Sequence, residues 1–274
     1  MQLVTIGQAL QRSCREIDHT DMRILLQHVL NVDHAFLLTH PDQVLTSKQE
    51  EIFDQLVARR VNGEPVAYLT GERDFYDLTF KVTPAVLIPR PETELLVEFT
   101  LERIPANHAC RVLDLGTGSG AIAITIARHR PQVSVVAVDL SADAVSIARM
   151  NARNLEVNNI SIVTSDWFGE LLGEKFDLIV SNPPYVADGD SHLKQGDLRF
   201  EPRMALAADA DGMACIKKII SAATEYLVPD GWLLLEHGYD QAAACRQLLE
   251  EAGYRNTFSR PDLAGIMRVS GGVI

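Results

Sequence analysis

Val112-Leu113-Asp114-Leu115 is a short apolar run of strand type, and it leads straight into Gly116-Thr117-Gly118-Ser119-Gly120-Ala121. Glycines let the backbone turn sharply and let a ligand approach where a Cβ would clash. A buried strand that ends in such a turn and opens into a helix is half of a βαβ unit. It predicts a mostly parallel, doubly wound sheet with helices on both faces. The rest of the chain repeats the pattern. A helix is expected over Ala121–His129, a strand over Val133–Val138, and a helix capped by Ser141 that reaches Leu155. Strands follow at Ile160–Val163 and Phe176–Val180, then a helix near Gly212–Tyr226, a strand at Trp232–Leu235 and a helix at Gln241–Glu251. Strands near 254–258 and 266–270 close the pattern and bring the strand total to seven.

The residues before this pattern have helical periodicity instead. Ile6 and Leu10, then Ile24, Leu25 and Val29, recur at helical spacing, and Ile52, Phe53, Leu56 and Val57 form the expected buried stripe of a further helix. That helix begins at Thr46-Ser47, where Ser47 and Glu50 fit a capping box, and stops near Asn62-Gly63. Phe75–Val82 alternates loosely and is rich in β-formers, which predicts a hairpin; Pro84, Pro89 and Pro91 then lead into a helix at 92–103. The expected division is a small helical-bundle domain at 1–73, a β-hairpin linker at 74–88 and an α/β domain at 89–274.

Composition narrows the function classes. A chain of 274 residues that is 47% apolar can bury a core and suits one or two domains. No run approaches the roughly 18 apolar residues of a bilayer span, and Met1–Thr5 lacks the start of a secretion signal, so no membrane role is expected. Cys14, Cys110, Cys215 and Cys245 are far apart and the histidines are scattered, which predicts no metal centre and suits a reducing cytoplasm. The net charge is −12, and residues 1–75 hold 7 bases against 11 acids. Neither part is a basic clamp for a phosphate backbone.

The glycine loop satisfies G-x-G-x-x-A, a pattern of adenosine-containing ligands. Asp114 beside it would oppose the pyrophosphate of a dinucleotide. The sulfonium and ammonium of S-adenosylmethionine would instead be favoured by a nearby acid. Asp139 ends the second strand, 19 residues beyond Gly120, where its carboxylate can accept from both hydroxyls of a ribose diol. Asp166-Trp167 follows the third strand, offering an acceptor for an adenine amino group and an indole for stacking. A helix cap followed by a core tryptophan is the plainer alternative there.

Strand four runs into Asn182-Pro183-Pro184-Tyr185. Two prolines remove two backbone donors and fix φ, so the turn is stiff. An asparagine oxygen and a proline carbonyl held together can receive both hydrogens of a planar –NH2 group, with the Tyr185 ring against that plane. Accepting those hydrogens favours a pyramidal nitrogen, whose lone pair is then available to a methyl donor. Asn182, Pro183 and Tyr185 are therefore the candidate catalytic residues.

These segments, with Ile88–Thr93 and Phe200–Leu206 and the helical N-terminal part, resemble the PrmC/HemK family of class I S-adenosylmethionine-dependent methyltransferases. The resemblance covers essentially the whole chain. It implies a Rossmann-like sheet ending in an antiparallel strand. It also implies methylation of the glutamine side-chain amide nitrogen in the Gly-Gly-Gln motif of bacterial class I peptide chain release factors, with S-adenosylhomocysteine as product. On this resemblance Gly116, Thr117, Gly118, Ser119 and Gly120 hold the methionine end of the cofactor, Asp139 the ribose, and Asp166 and Trp167 the adenine region. Asn182 and Pro183 accept from the substrate amide beside Pro184 and Tyr185, and Asn182 also reaches the cofactor. The partner is a protein, with no direct nucleic-acid contact, and a monomer suffices. The alternatives are glutamine methylation of a ribosomal protein and amino-methylation of adenine or guanine, which uses the same turn. Arg90 is expected to steer substrate or pair with Glu92, Glu201 and Arg203 to shape the substrate loop or brace each other, His237 to be structural, and Lys217-Lys218 to be a solvated face; the Ser270–Ile274 tail has no assigned role.

Overall fold

The computed structural model describes residues 4–12, 17–105, 109–209 and 211–274; Met1–Leu3 and Cys14 lie outside the described residues. The chain divides into two compact units, Met1–Glu72 with Gln195–Phe200, and Arg73–Lys194 with Glu201–Ile274.

The first unit holds α1 (Ile6–Arg12), α2 (His19–Leu30), α3 (His34–Thr39), α4 (Ser47–Val61) and α5 (Val66–Thr70). Ile6, Leu25, Leu26, Phe53, Leu56 and Val57 close its core. Ile24 and Ile52 are exposed instead of buried. The α4 cap sits one residue earlier than expected. Gln49 N donates to Thr46 Oγ1 at 3.2 Å and Thr46 N to Gln49 Oε1 at 2.9 Å, which frees Glu50 to pair with Arg12 at 2.7 Å. The short helices α3 and α5 were not expected; Asp33 caps α3 by accepting from Phe36 N at 2.8 Å. Gln195–Phe200 folds with this unit although it is distant in sequence. Asp197 accepts from Arg60 at 3.1 Å, and Arg199 donates to the Asn62 carbonyl at 2.8 Å.

The second unit begins within β1 (Glu72–Phe75), which forms a hairpin with β2 (Leu78–Lys81). Phe75 and Phe80 meet edge to face at 6.1 Å and are buried in the same core cluster as Leu96 and Val97. There follow α6 (Glu94–Arg103), β3 (Arg111–Leu115), α7 (Ala121–His129), β4 (Ser134–Asp139), α8 (Ala142–Asn154), β5 (Ile160–Thr164) and β6 (Phe176–Ser181). The chain ends with α9 (Arg203–Leu206), α10 (Ala214–Ala223), β7 (Leu227–Glu236), α11 (Ala242–Glu251), β8 (Arg255–Pro261) and β9 (Met267–Val273). The buried Asn151 of α8 ties this helix to the hairpin, accepting from Lys81 N at 2.8 Å and donating to its carbonyl at 3.0 Å.

Seven strands form one sheet in the order β5-β4-β3-β6-β7-β9-β8. β3 to β7 are parallel, and β9 runs antiparallel to β7 and β8. Alternate residues serve opposite faces: Val112, Val135 and Leu178 enter one core cluster, Leu113, Ile179 and Leu233 the other. The strand order reverses between β3 and β6, so the crevice beyond their carboxyl ends is the natural ligand site. Among the described residues no helix is long and apolar enough to cross a membrane.

The last strand runs past residue 270, where it was expected to stop, and places the tail between β7 and β8. Glycine is what lets it lie there: a Cβ on Gly271 would stand 2.6 Å from the Leu233 carbonyl oxygen and 2.6 Å from Leu234 Cδ2. Gly271→Ala is expected to cost about 2 kcal/mol through overpacking, lowering the melting temperature by several degrees. An unchanged melting temperature would show that β7 and β9 part without cost.

Candidate active site

The β3–α7 loop folds over the carboxyl ends of β3 and β4. Gly116 N and Thr117 N both donate to the Val138 carbonyl at 2.9 Å, and Asn151 donates to the Ser119 carbonyl at 2.8 Å. Gly120 caps α7 with φ of 84°, where a Cβ would meet Ile124 Cδ1 at 2.6 Å. Asp139 closes the loop from beside: Oδ2 accepts from Gly118 N at 2.8 Å and Oδ1 from Ser141 N at 2.9 Å. Burial raises the Asp139 carboxyl above its ordinary range, while the backbone donors of Ser141, Gly118 and Leu140 oppose the rise. Asp114 lies fully buried under the loop. Its Oδ2 accepts from Thr117 Oγ1 at 2.7 Å, and its Oδ1 has no hydrogen-bond partner among the described residues. Burial pushes its carboxyl up to about 7, with the Thr117 hydroxyl opposing and the Asp139 charge adding to the shift.

A cavity of about 300 Å³ opens here. Of the residues singled out from sequence, Gly116, Gly118, Asp139, Asp166, Trp167, Asn182 and Pro184 line it. Thr117, Ser119 and Gly120 lie buried in the loop and shape it without lining the cavity. Trp167, with φ of 52°, lies against Gly116, its ring 3.7 Å from where a Gly116 Cβ would stand. Asp166 is exposed and pairs with Lys218 at 3.0 Å. Pro183 and Tyr185 do not line the cavity. Val86, Leu87, Leu140, Met204 and Cys215 also line it and were not placed there from sequence, since apolar residues scattered over separate segments carry no local signal.

The Asn-Pro-Pro-Tyr turn leaves β6 with Ser181 Oγ donating to the Leu115 carbonyl at 2.7 Å, which locks the turn to β3. Asn182 Nδ2 donates to Thr93 Oγ1 at 3.1 Å. Tyr185 packs against the second core cluster, its hydroxyl donates to Glu236 Oε1 at 3.2 Å, and its carbonyl accepts from Gln241 Nε2 at 3.0 Å. Burial raises the Tyr185 phenol well above its ordinary value, and the Glu236 charge adds to this. Thr93 and Glu236 were not assigned roles from sequence. The one available signal was a carboxylate closing the apolar run Trp232–Leu235.

Two side pairings differ from expectation. Arg90 pairs with Glu201, its Nη2 reaching the two carboxylate oxygens at 2.6 and 2.7 Å, and not with Glu92. Arg203 pairs with Asp188 at 2.8 Å, and not with Glu201. Both expected pairs are two residues apart across a proline, a spacing at which side chains diverge. His237 is buried, donating from Nδ1 to the Gly238 carbonyl at 2.9 Å and accepting at Nε2 from Ser270 Oγ at 2.8 Å.

Two family models match, the PrmC N-terminal domain over residues 3–71 and the methyltransferase small domain over residues 92–198. The release factor glutamine methyltransferase of Bordetella pertussis is 49% identical over 255 residues, spanning 93% of this chain and 94% of its own. That of Escherichia coli is 48% identical over 260 residues, spanning 95% and 94%. A solved methyltransferase from Pyrococcus furiosus shares the fold, with a TM-score of 0.55 at 19% identity over 79% of this chain and 95% of that one. Full-length identity near one half, across both units, settles the family: the chain belongs to the release factor glutamine methyltransferases.

Proposed function

We propose that this protein methylates the side-chain amide nitrogen of the glutamine in the Gly-Gly-Gln motif of class I release factors, using S-adenosylmethionine, as a cytoplasmic monomer that contacts no nucleic acid directly. One observation carries the reading: a single cavity is lined both by the Gly116, Gly118 and Asp139 cluster and by Asn182 and Pro184 of the rigid turn.

The residues fit the cofactor. Asp114 is a buried acid with an unpartnered oxygen, an electrostatic environment that favours a cationic ligand over a pyrophosphate. Gly116–Gly120 would hold the methionine end, Asp139 the ribose, and Asp166 and Trp167 the adenine region. When bound, the cofactor supplies a methyl group on a sulfonium sulfur, which leaves as a neutral thioether. The chain's own task is at the acceptor. Asn182 Oδ1, on the cavity wall, receives an amide hydrogen, orients the nitrogen lone pair toward the cavity and stabilises positive charge as it develops; the Pro183 carbonyl, the second acceptor in this reading, lies outside the cavity lining. Positioning and fixed dipoles of this kind contribute several kcal/mol, roughly, to lowering a barrier. Tyr185 stiffens the turn from behind. The helical domain ending near residue 73 supplies docking surface for the protein substrate, and its acidity disfavours nucleic acid in that role.

The reading is tested by incubating the protein with methyl-labelled S-adenosylmethionine and, separately, release factor, its Gln-substituted variant, ribosomal protein and DNA. Label is expected on release factor alone. Label on DNA or ribosomal protein but not release factor would overturn the substrate assignment.

A further inference from the structure

Arg90 stands between Pro89 and Pro91. The proline that follows restricts it to extended backbone, φ −100° and ψ 143°, which sets the direction in which its side chain leaves the chain. The far end is held as well: Nη2 donates to both oxygens of Glu201 at 2.6 and 2.7 Å. The Glu201 side chain is fully buried, and a buried carboxylate left without its cation is costly, so the guanidinium is kept in place. A strong arginine–carboxylate pair usually sets two nitrogens against two oxygens. Here one nitrogen answers both oxygens. Nε and Nη1, with three N–H groups between them, make no hydrogen bond among the described residues, and neither is sealed from solvent. The pair lies beside the catalytic cavity. Thr93 N donates to the Arg90 carbonyl at 3.1 Å, and Thr93 Oγ1 accepts from Asn182 at 3.1 Å. Leu87, three residues before Arg90, lines the cavity, and so does Pro202, next to Glu201.

We propose that Arg90 is a substrate-binding residue whose free N–H groups donate to a backbone carbonyl in the Gly-Gly part of the substrate motif, with Glu201 as the positioning residue that holds it there. This rests on the reading of the cavity as the site of the glutamine amide in a Gly-Gly-Gln segment. The chemistry matches on both sides. Glycines have no side chain to cover their carbonyls, and a guanidinium with unspent N–H groups needs acceptors. Asn182 holds the reacting amide at the end of the glutamine side chain. A second hold on the main chain fixes the segment at two points. An exocyclic amine of a nucleobase fits the same turn but brings no main-chain carbonyl, so the contact favours a glutamine within a polypeptide. Arg90 touches no reacting atom, and its hydrogen bond is as strong in the bound substrate as in the transition state. It therefore contributes to KM and leaves kcat nearly alone.

The test uses the full chain with release factor and labelled S-adenosylmethionine. Arg90→Lys keeps a cation for Glu201 and removes the planar fork. It is expected to raise KM for release factor by about 10- to 100-fold, with kcat within about threefold and S-adenosylhomocysteine affinity within about twofold by calorimetry. A residue that only braced Glu201 would tolerate lysine. The substrate-side readout is semisynthetic release factor with an ester in place of the Gly–Gly or the Gly–Gln peptide bond, which weakens the glycine carbonyl as an acceptor. One of the two esters is expected to raise the wild-type KM by about threefold or more and to leave that of Arg90→Lys where it was. A wild-type KM in Arg90→Lys, a loss confined to kcat, or esters that act alike on both enzymes would each overturn the proposal. The ester series on the wild-type enzyme decides the matter even if Arg90→Lys does not fold: no change in KM with either ester means that the contact is not made. Labelled release factor with an unaltered KM in Arg90→Lys overturns this inference alone, whereas release factor that takes no label from the wild-type enzyme overturns the reading of the cavity beneath it.

Discussion

Asn182→Ala is expected to lower kcat by about 10²- to 10³-fold while S-adenosylhomocysteine affinity changes by no more than a few-fold, the pattern of a lost transition-state contact. The reason lies in where the two ends of the side chain go. Nδ2 is tied to Thr93, and the residue lines the cavity between Pro184 and the glycine loop. Alanine removes the acceptor without disturbing what holds the backbone, because the turn is fixed by two prolines, by Ser181 on the Leu115 carbonyl at 2.7 Å and by Gln241 on the Tyr185 carbonyl at 3.0 Å. The loss therefore falls on the chemical step. Steady-state turnover and calorimetry on one preparation separate the two effects. An equal loss of cofactor affinity would show that Asn182 chiefly builds the pocket.

Asp139→Ala should show the reverse split. A carboxylate offers about four acceptor positions, and two of Asp139's are taken by Gly118 N and Ser141 N at 2.8 and 2.9 Å. The remainder match the two hydroxyls of a ribose diol. Hydrogen bonds to a charged group are worth about 1.5–3 kcal/mol each. Losing a pair of them, together with the anchor of Gly118, is expected to weaken S-adenosylmethionine and S-adenosylhomocysteine binding by about 100-fold or more. At saturating cofactor kcat should stay within about tenfold of wild type. Unchanged affinity in calorimetry would remove Asp139 from the ribose.

The parts of the fold and site that could be read from sequence are those set by local pattern. Strands such as Val112–Leu115 and Leu178–Val180 are buried on both faces and so read as short apolar runs, broken only by Asp114. Ser141 was legible as a cap because its hydroxyl answers an amide three residues on, Ala144 N at 3.2 Å. At α4 the same logic was ambiguous: Thr46 with Gln49 and Ser47 with Glu50 both fit, and the ion pair of Glu50 with Arg12 lies outside any local window. Asp139 ends β4 and Asn182 directly follows β6, positions legible in the sequence, and the topology carries both to one sheet edge.

What could not be read depends on partners distant in the chain. Gln195–Phe200 joins the helical unit through Arg60 and Asn62, roughly 137 residues away by sequence. Thr93 meets Asn182 across 89 residues, and Tyr185 meets Glu236 across 51. The glycines at 271 and 272 fall in a tail given no role from the sequence, whereas in β9 they permit close approach to β7 and to Tyr254.

The most direct measurement is tandem mass spectrometry of release factor methylated by this protein in the labelling assay, compared with the product of the Asn182→Ala enzyme. The expected result is one methyl group on the side-chain nitrogen of the glutamine in the Gly-Gly-Gln motif, strongly reduced with Asn182→Ala. A methyl group on any other atom of the release factor, or on nucleic acid alone, would contradict the assignment of the turn to a glutamine amide.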